Sequence, residues 1–254
     1  MVDEIHNENC LDTMARMEDN FLDLTVTSPP YDNLRTYNGF EFDWKAVLKE
    51  LYRTTKKGGV VVWVVGDATI KGSETGTSFK QALHAMECGF NLHDTMIYHK
   101  NALPKNHNRY EQDFEYMFVF SKGKPSAFSP IRIPCAYAGT TPKGTFRHDG
   151  DNLGKAHKPN SVKKDKIKGN IWRHANGYMQ GTKDKIATKH SATFPEQLAN
   201  DHIISWSNEN DIVYDPFMGS GTTAKMAILN NRRYIGSEIS EEYCEIIKER
   251  LSTV

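Results

Sequence analysis

Ile212-Val213-Tyr214-Asp215-Pro216-Phe217-Met218-Gly219-Ser220-Gly221-Thr222-Thr223 begins as a short apolar run and passes through an acid, a proline and two glycines. The run predicts a strand over 212–214, followed by a helix over 222–233 and a second strand over 234–238. Gly219 and Gly221 allow a tight turn and the close approach of a ligand to backbone N–H groups at the helix start. The turn lacks the Lys-Ser/Thr ending of a phosphate-binding P-loop, so a triphosphate is not its natural occupant. Roughly twenty residues on, Glu238 puts a carboxylate at the end of the next strand, where α/β folds hydrogen-bond ribose hydroxyls. Strand, glycine turn, helix, strand and acid together predict a parallel sheet with a nucleoside-cofactor site at its carboxyl edge.

The same α/β rhythm runs through the first half. Leu22-Asp23-Leu24-Thr25-Val26 reads as a strand that ends in Thr27-Ser28-Pro29-Pro30-Tyr31. Two prolines fix φ and remove two backbone donors, so the chain is held as a stiff extended tip carrying a hydroxyl and an aromatic ring. Trp44, Val47, Leu48 and Leu51 recur at helical spacing behind an Asp43 cap. Val60 to Val65 is a continuous run of the kind buried on both faces of a parallel sheet. Phe79, Ala82, Leu83 and Met86 mark another helix, stopped by Gly89, and 91–99 and 113–121 are further strands. Near the end, Leu198, Ala199, His202, Ile203 and Trp206 predict a helix over 194–206. A last helix over 240–251 has a Ser240 cap and a buried stripe of Tyr243, Ile246, Ile247 and Leu251.

With 254 residues and 38% hydrophobic content, the chain can bury one sizeable core. No apolar run approaches the ~20 residues needed to cross a bilayer, and the N-terminus has no basic start before an apolar stretch, so a soluble, cytoplasmic protein is expected. Cys10, Cys88, Cys135 and Cys244 are scattered without a CxxC pair, which suggests neither disulfides nor a zinc cluster, and the ten histidines show no ligand spacing. No metal is expected. Net charge is zero, yet residues 141–190 hold 12 Lys and Arg against 4 Asp and Glu. An interior basic excess of this kind is the footprint of a part that touches phosphates. From 123 to 189 the α/β pattern dissolves, apart from a packed-looking Ile171-Trp172, so an insertion is expected there.

Ser28-Pro29-Pro30-Tyr31 and the Asp215–Thr223 loop, in that order, resemble the motifs of the S-adenosylmethionine-dependent DNA amino-methyltransferases that act on N4 of cytosine or N6 of adenine. Lys189-His190-Ser191-Ala192-Thr193-Phe194-Pro195 and Glu115 to Lys122 are further family-like pieces. The catalytic motif comes first and the cofactor loop last, as in the family's β arrangement. The resemblance implies a Rossmann-like methyltransferase fold: α/β, a mostly parallel twisted sheet flanked by helices, with an inserted basic recognition segment. It implies a catalytic domain made of 1–122 and 190–254, with target recognition in 123–189. S-adenosyl-L-methionine would lie against Asp215, Pro216, Phe217, Gly219, Ser220, Gly221 and Thr222, with Glu238 on its ribose and Phe194 and Pro195 lining the pocket. Asn9 stands where relatives often carry Asp, so no cofactor contact is assigned there.

The resemblance assigns catalysis to Ser28, Pro29, Pro30 and Tyr31. Tyr31 would stack on a base flipped out of double-stranded DNA, while the Ser28 side chain and the Pro29 carbonyl accept hydrogen bonds from its amine. Lys143, Arg147, Lys163, Lys164, Lys166, Lys168 and Arg173 would neutralise phosphates, with Lys155 and Lys158 beside them. Asn33, Arg35 and Tyr37 are candidates for contact with the flipped nucleotide. Serine in the first catalytic position favours N4 of cytosine over N6 of adenine. A cognate restriction endonuclease and a homodimer are the partners such a chain can have, in a bacterial, archaeal or phage-infected cell. The rival classes are a non-catalytic nucleic-acid-binding protein on the same fold, a protein-glutamine or RNA amino-methyltransferase, and a nucleotide triphosphatase.

Overall fold

The computed structural model describes residues 1–30, 42–101, 108–141, 160–177, 179–189 and 195–254. The first half contains β1 (Glu4–His6), α1 (Cys10–Ala15), β2 (Leu22–Thr27), α2 (Trp44–Thr54), β3 (Thr55–Val65), β4 (Thr69–Ile70), β5 (Ser73–Glu74), α3 (Thr77–Glu87), β6 (Asn91–His99) and β7 (Phe114–Ser121). Then come β8 (Arg132–Pro134), β9 (Asp165–Ile167), β10 (Ile171–Arg173), α4 (Glu196–Trp206), β11 (Ile212–Asp215), α5 (Thr222–Leu229), β12 (Arg233–Ser237) and α6 (Glu241–Leu251).

One eight-stranded sheet has the order β1-β12-β11-β2-β3-β7-β6-β10. Only β7 runs against its neighbours among these strands. The other adjacent pairs are parallel, which makes this the mostly parallel α/β sheet that the sequence predicts. From β2 the chain passes through α2 to β3 on one side; from β11 it passes through α5 to β12 on the other. The strand order therefore reverses between β2 and β11, and the carboxyl ends of the strands at such a reversal are where open α/β sheets bind ligands.

Residues 60–65 of β3 are buried to 1% exposure or less, as a strand covered on both faces requires. Asp43 caps α2 by accepting from the backbone N–H groups of Lys45 and Ala46, both at 3.1 Å. Helix α5 stops at Leu229, short of the expected residue 233, because Asn231 adopts a left-handed φ of 59°. Helix α4 starts two residues later than expected, with Pro195 as its N-cap.

Two helix faces depart from the apolar spacing, and that of the last helix corrects the expected stripe. Helix α3 turns Ser78, Gln81, Ala82 and Ala85 inward and leaves Phe79, Leu83 and Met86 at 50%, 60% and 45% exposure. The sheet already supplies the bulk through Trp63, Phe118 and Phe120, so small residues let the helix approach, and Gln81 accepts the Trp63 indole N–H at 2.8 Å. On α6, Ile246 and Ile247 are buried as expected, but Cys244 and Arg250 join them while Tyr243 and Leu251 are half-buried.

The described residues form two compact units, 1–129 with 170–254, and 130–169. The smaller unit contains the antiparallel β8–β9 pair, with Ile133 opposite Lys166. In the larger unit, Ile171–Arg173 is the β10 edge strand, paired with β6. These strands are three residues long, too short to leave a period to read.

Candidate active site

The two sequence motifs meet at the strand reversal. Thr27, the last residue of β2, donates its hydroxyl to Asp215 Oδ1 at 2.6 Å. Ser28 is the next residue, half-buried, followed by buried Pro29 and half-buried Pro30. Asp215 ends β11 and also accepts from the Phe217 N–H at 3.0 Å and from Thr223 Oγ1 at 2.8 Å. Thr223 Oγ1 lies 3.2 Å from the Val26 carbonyl oxygen, which ties the helix after the loop to β2 as well. These Asp215 partners are hydroxyls and an N–H, without a cation. Burial raises the Asp215 carboxyl from 3.8 to about 6, and the hydrogen bonds from Thr27, Phe217 and Thr223 limit the rise.

Glu238 follows β12, the strand next to β11. Its carboxylate accepts from the Gly219 N–H at 2.8 Å and the Ser240 N–H at 2.9 Å, so the acid and the glycine loop are one structure. The backbone completes the joint: Glu238 N–H donates to the His6 carbonyl at 3.0 Å, and Asn7 Nδ2 donates to the Glu238 carbonyl at 2.9 Å. Burial raises the Glu238 carboxyl too, and the charge of Asp215 adds to the rise.

Gly219 and Gly221 take φ of 55° and 81°, the left-handed region. A Cβ at Gly221 would also stand 3.0 Å from Ile247 Cγ2, so glycine is required there twice over. Met218, 3% exposed, packs inward with Ala224 and Ile247 and anchors the loop. Phe217 is half-buried and sets its ring edge-on to Phe42 at 5.1 Å and to Trp63 at 6.4 Å, forming an aromatic wall. Pro216, Ser220 and Thr222 are buried in the same loop. Pro195 is buried at the head of α4.

Tyr31, Asn33, Arg35, Tyr37, Lys143, Arg147, Lys155, Lys158 and Phe194 lie outside the described residues. Of the basic residues, Lys163, Lys164 and Lys166 are exposed and Lys168 half-buried in the smaller unit, while Arg173 is exposed on β10 of the larger one. Asn9 caps α1, accepting from the Leu11 N–H at 2.9 Å. No group of three or more His, Cys, Asp or Glu among the described residues converges as a metal site.

The sequence reading missed Asn7 and Arg250. Arg250, 1% exposed, donates to the Ser220 carbonyl at 2.8 Å and to Thr222 Oγ1 at 3.0 Å. Its position, three residues after Ile247 and four after Ile246, lies on the buried stripe of α6. A charge on an apolar stripe was the available signal.

The N6/N4 DNA methylase family pattern matches residues 22–249. The orphan methyltransferase M.BamHII of Bacillus amyloliquefaciens is 60% identical over 235 residues, covering 91% of this chain and 88% of that protein. Among solved structures, TTHA0409 of Thermus thermophilus, in complex with S-adenosyl-L-methionine, superposes with a TM-score of 0.68 at 24% identity, over 99% of this chain and 94% of that one. The cytosine-N4-specific PvuII DNA methyltransferase gives a TM-score of 0.75 at 19% identity, over 98% and 86%. Those two share the fold; the family match and the 60% identity carry the assignment, and the chain belongs to the DNA methylase family.

Proposed function

We propose that this enzyme transfers a methyl group from S-adenosyl-L-methionine to the exocyclic amine of a base flipped out of double-stranded DNA, with N4 of cytosine as the acceptor. The observation that supports the reading is the Thr27–Asp215 hydrogen bond of 2.6 Å, which ties the residue before Ser28 to the residue that opens the glycine loop. The residues fit the cofactor: Gly219 and Gly221 hold left-handed backbone, a Cβ at Gly221 would stand 3.0 Å from Ile247 Cγ2, Phe217 supplies an aromatic surface, and Asp215 and Glu238 place two buried acids at the two ends of the loop. When bound, S-adenosyl-L-methionine supplies an electrophilic methyl group and brings a sulfonium and an ammonium. In this reading Asp215, Pro216, Phe217, Gly219, Ser220, Gly221 and Thr222 hold its methionine end, Glu238 its ribose, and Phe194 and Pro195 line the pocket.

On the acceptor side, an exocyclic amine is a poor nucleophile because its lone pair is delocalised into the ring. The Ser28 hydroxyl and the Pro29 carbonyl accept its two hydrogens and favour a pyramidal nitrogen whose lone pair points at the methyl group. Tyr31 stacks on the flipped base, extruded at a cost of a few kcal/mol. Most of the acceleration is orientation and electrostatics. Serine at position 28 supports cytosine. The segment 123–189, with 130–169 as its compact part, serves target recognition, and its lysines neutralise phosphates.

No helix among the described residues is long and apolar enough to cross a membrane. The likeness to an orphan methyltransferase favours action without a dedicated restriction endonuclease. The deciding experiment incubates the protein with unmethylated DNA and S-adenosyl-L-methionine, digests to nucleosides and identifies the product by mass spectrometry. N4-methylcytosine supports the proposal, N6-methyladenine overturns the target base, and no methylated nucleoside overturns the activity.

A further inference from the structure

We infer that Arg250 is a positioning residue for the cofactor loop, an inference that rests on the function proposed for that loop. Gly219 and Gly221 give the loop its shape and also its freedom, because glycine has little intrinsic preference for the left-handed backbone it adopts here. Something outside the loop has to hold it. The Ser220–Gly221 peptide is held from both sides: its N–H donates to the Met218 carbonyl at 2.9 Å, and its carbonyl accepts from Arg250 Nη1 at 2.8 Å. The same Nη1 reaches Thr222 Oγ1 at 3.0 Å and Ser220 Oγ at 3.3 Å.

The guanidinium is itself held in a charge-balanced cage. Nε donates to Asp184 Oδ2 at 2.7 Å and Nη2 to Glu196 Oε1 at 2.6 Å, with Thr182 Oγ1 at 3.3 Å from Nη2. Lys225 Nζ binds the same two carboxylate oxygens at 2.7 and 2.8 Å. Two cations thus face two anions around the loop's far side. Arg250 joins α6, the 182–184 segment, the head of α4 and the loop, and a planar fork can do this where an ammonium cannot. A buried ion network of this type adds little stability over apolar packing of the same volume, so its placement on the loop carbonyl points to geometry as its role.

The test compares Arg250→Met and Glu196→Gln with Ile246→Ala, a substitution of a buried side chain on the same helix. The measurements are thermal melting, the S-adenosyl-L-methionine dissociation constant, the KM for cofactor and for DNA, and amide exchange at Gly219 and Gly221 without ligand. Arg250→Met is expected to raise the cofactor dissociation constant and KM about tenfold or more, with KM for DNA unmoved and faster exchange in the loop. Glu196→Gln should move the same quantities in the same direction by less. Ile246→Ala should lower the melting temperature and leave cofactor affinity and loop exchange as they were. Unchanged cofactor affinity and exchange in Arg250→Met, or equal losses in Ile246→Ala, would overturn the inference. If Arg250→Met does not fold, Glu196→Gln and Arg250→Lys carry the same two outcomes. Failure of the unaltered protein to bind cofactor would sink the proposed function, while loop exchange still decides the role of Arg250.

Discussion

Replacing Asp215 with asparagine should make the protein more stable and less able to bind its cofactor. Asp215 is buried, and its carboxyl is raised from 3.8 to about 6. At ~1.36 kcal/mol per tenfold change in proton affinity, that rise corresponds to about 3 kcal/mol. The sign follows from proton counting. Between pH 3.8 and about 6 the folded state keeps the Asp215 proton and the unfolded state has lost it, so stability falls as pH rises and the full cost is present above pH 6. Asparagine mimics the protonated acid: its oxygen still accepts from Thr27 and Phe217, and its amide can donate to Thr223, whose own hydrogen can turn to Val26 O at 3.2 Å. Urea unfolding at half-unit steps from pH 4 to pH 8 should show Asp215→Asn ahead by about 1–3 kcal/mol at pH 8, with the two proteins converging towards pH 4. Calorimetry at pH 8 should show weaker S-adenosyl-L-methionine binding, if Asp215 holds the cofactor's methionine end as proposed. A variant less stable than the unaltered protein at pH 8, or a stability difference that does not change between pH 4 and pH 7, would refute the reasoning.

Ser28→Ala and Tyr31→Ala should each lower methyl transfer by orders of magnitude with cofactor affinity nearly intact, measured by transfer of labelled methyl groups alongside calorimetry; equal loss of cofactor binding would refute that division of roles. Gly221→Ala places a Cβ 3.0 Å from Ile247 Cγ2 at a φ of 81°, and should cost about 1–3 kcal/mol in urea unfolding as well as weakening cofactor binding. Neutralising Lys163, Lys164 and Lys166 together should reduce the slope of log affinity for DNA against log salt by about 0.9 for each phosphate that these side chains neutralise, and an unchanged slope would remove them from the DNA interface.

Much of the architecture was legible because it depends on local pattern. The valine run of β3, the Asp43 cap of α2 and the turn at Gly219 and Gly221 each announce themselves within a few residues, since burial on two faces, an orphan N–H at a helix start and left-handed backbone each demand particular side chains. Helix α3 shows where pattern fails. Its spacing gave the helix correctly, but the inward face was chosen by the volume of the rings already on the sheet, so the small residues faced in and Phe79, Leu83 and Met86 faced out.

The candidate site divides in the same way. Residue types and order alone marked Ser28, the Asp215 loop and Glu238 as candidates for chemistry at strand ends. Their union was a tertiary matter. Thr27 and Asp215 lie far apart in the chain and meet because β11 inserts beside β2; Arg250 reaches Ser220 because α6 packs Ile247 against Met218 and Gly221 of the loop. Hydrogen bonds and burial act over a few ångströms of space regardless of chain separation, so the sequence by itself determined which groups were available. Strand order and helix rotation decided which of them touch.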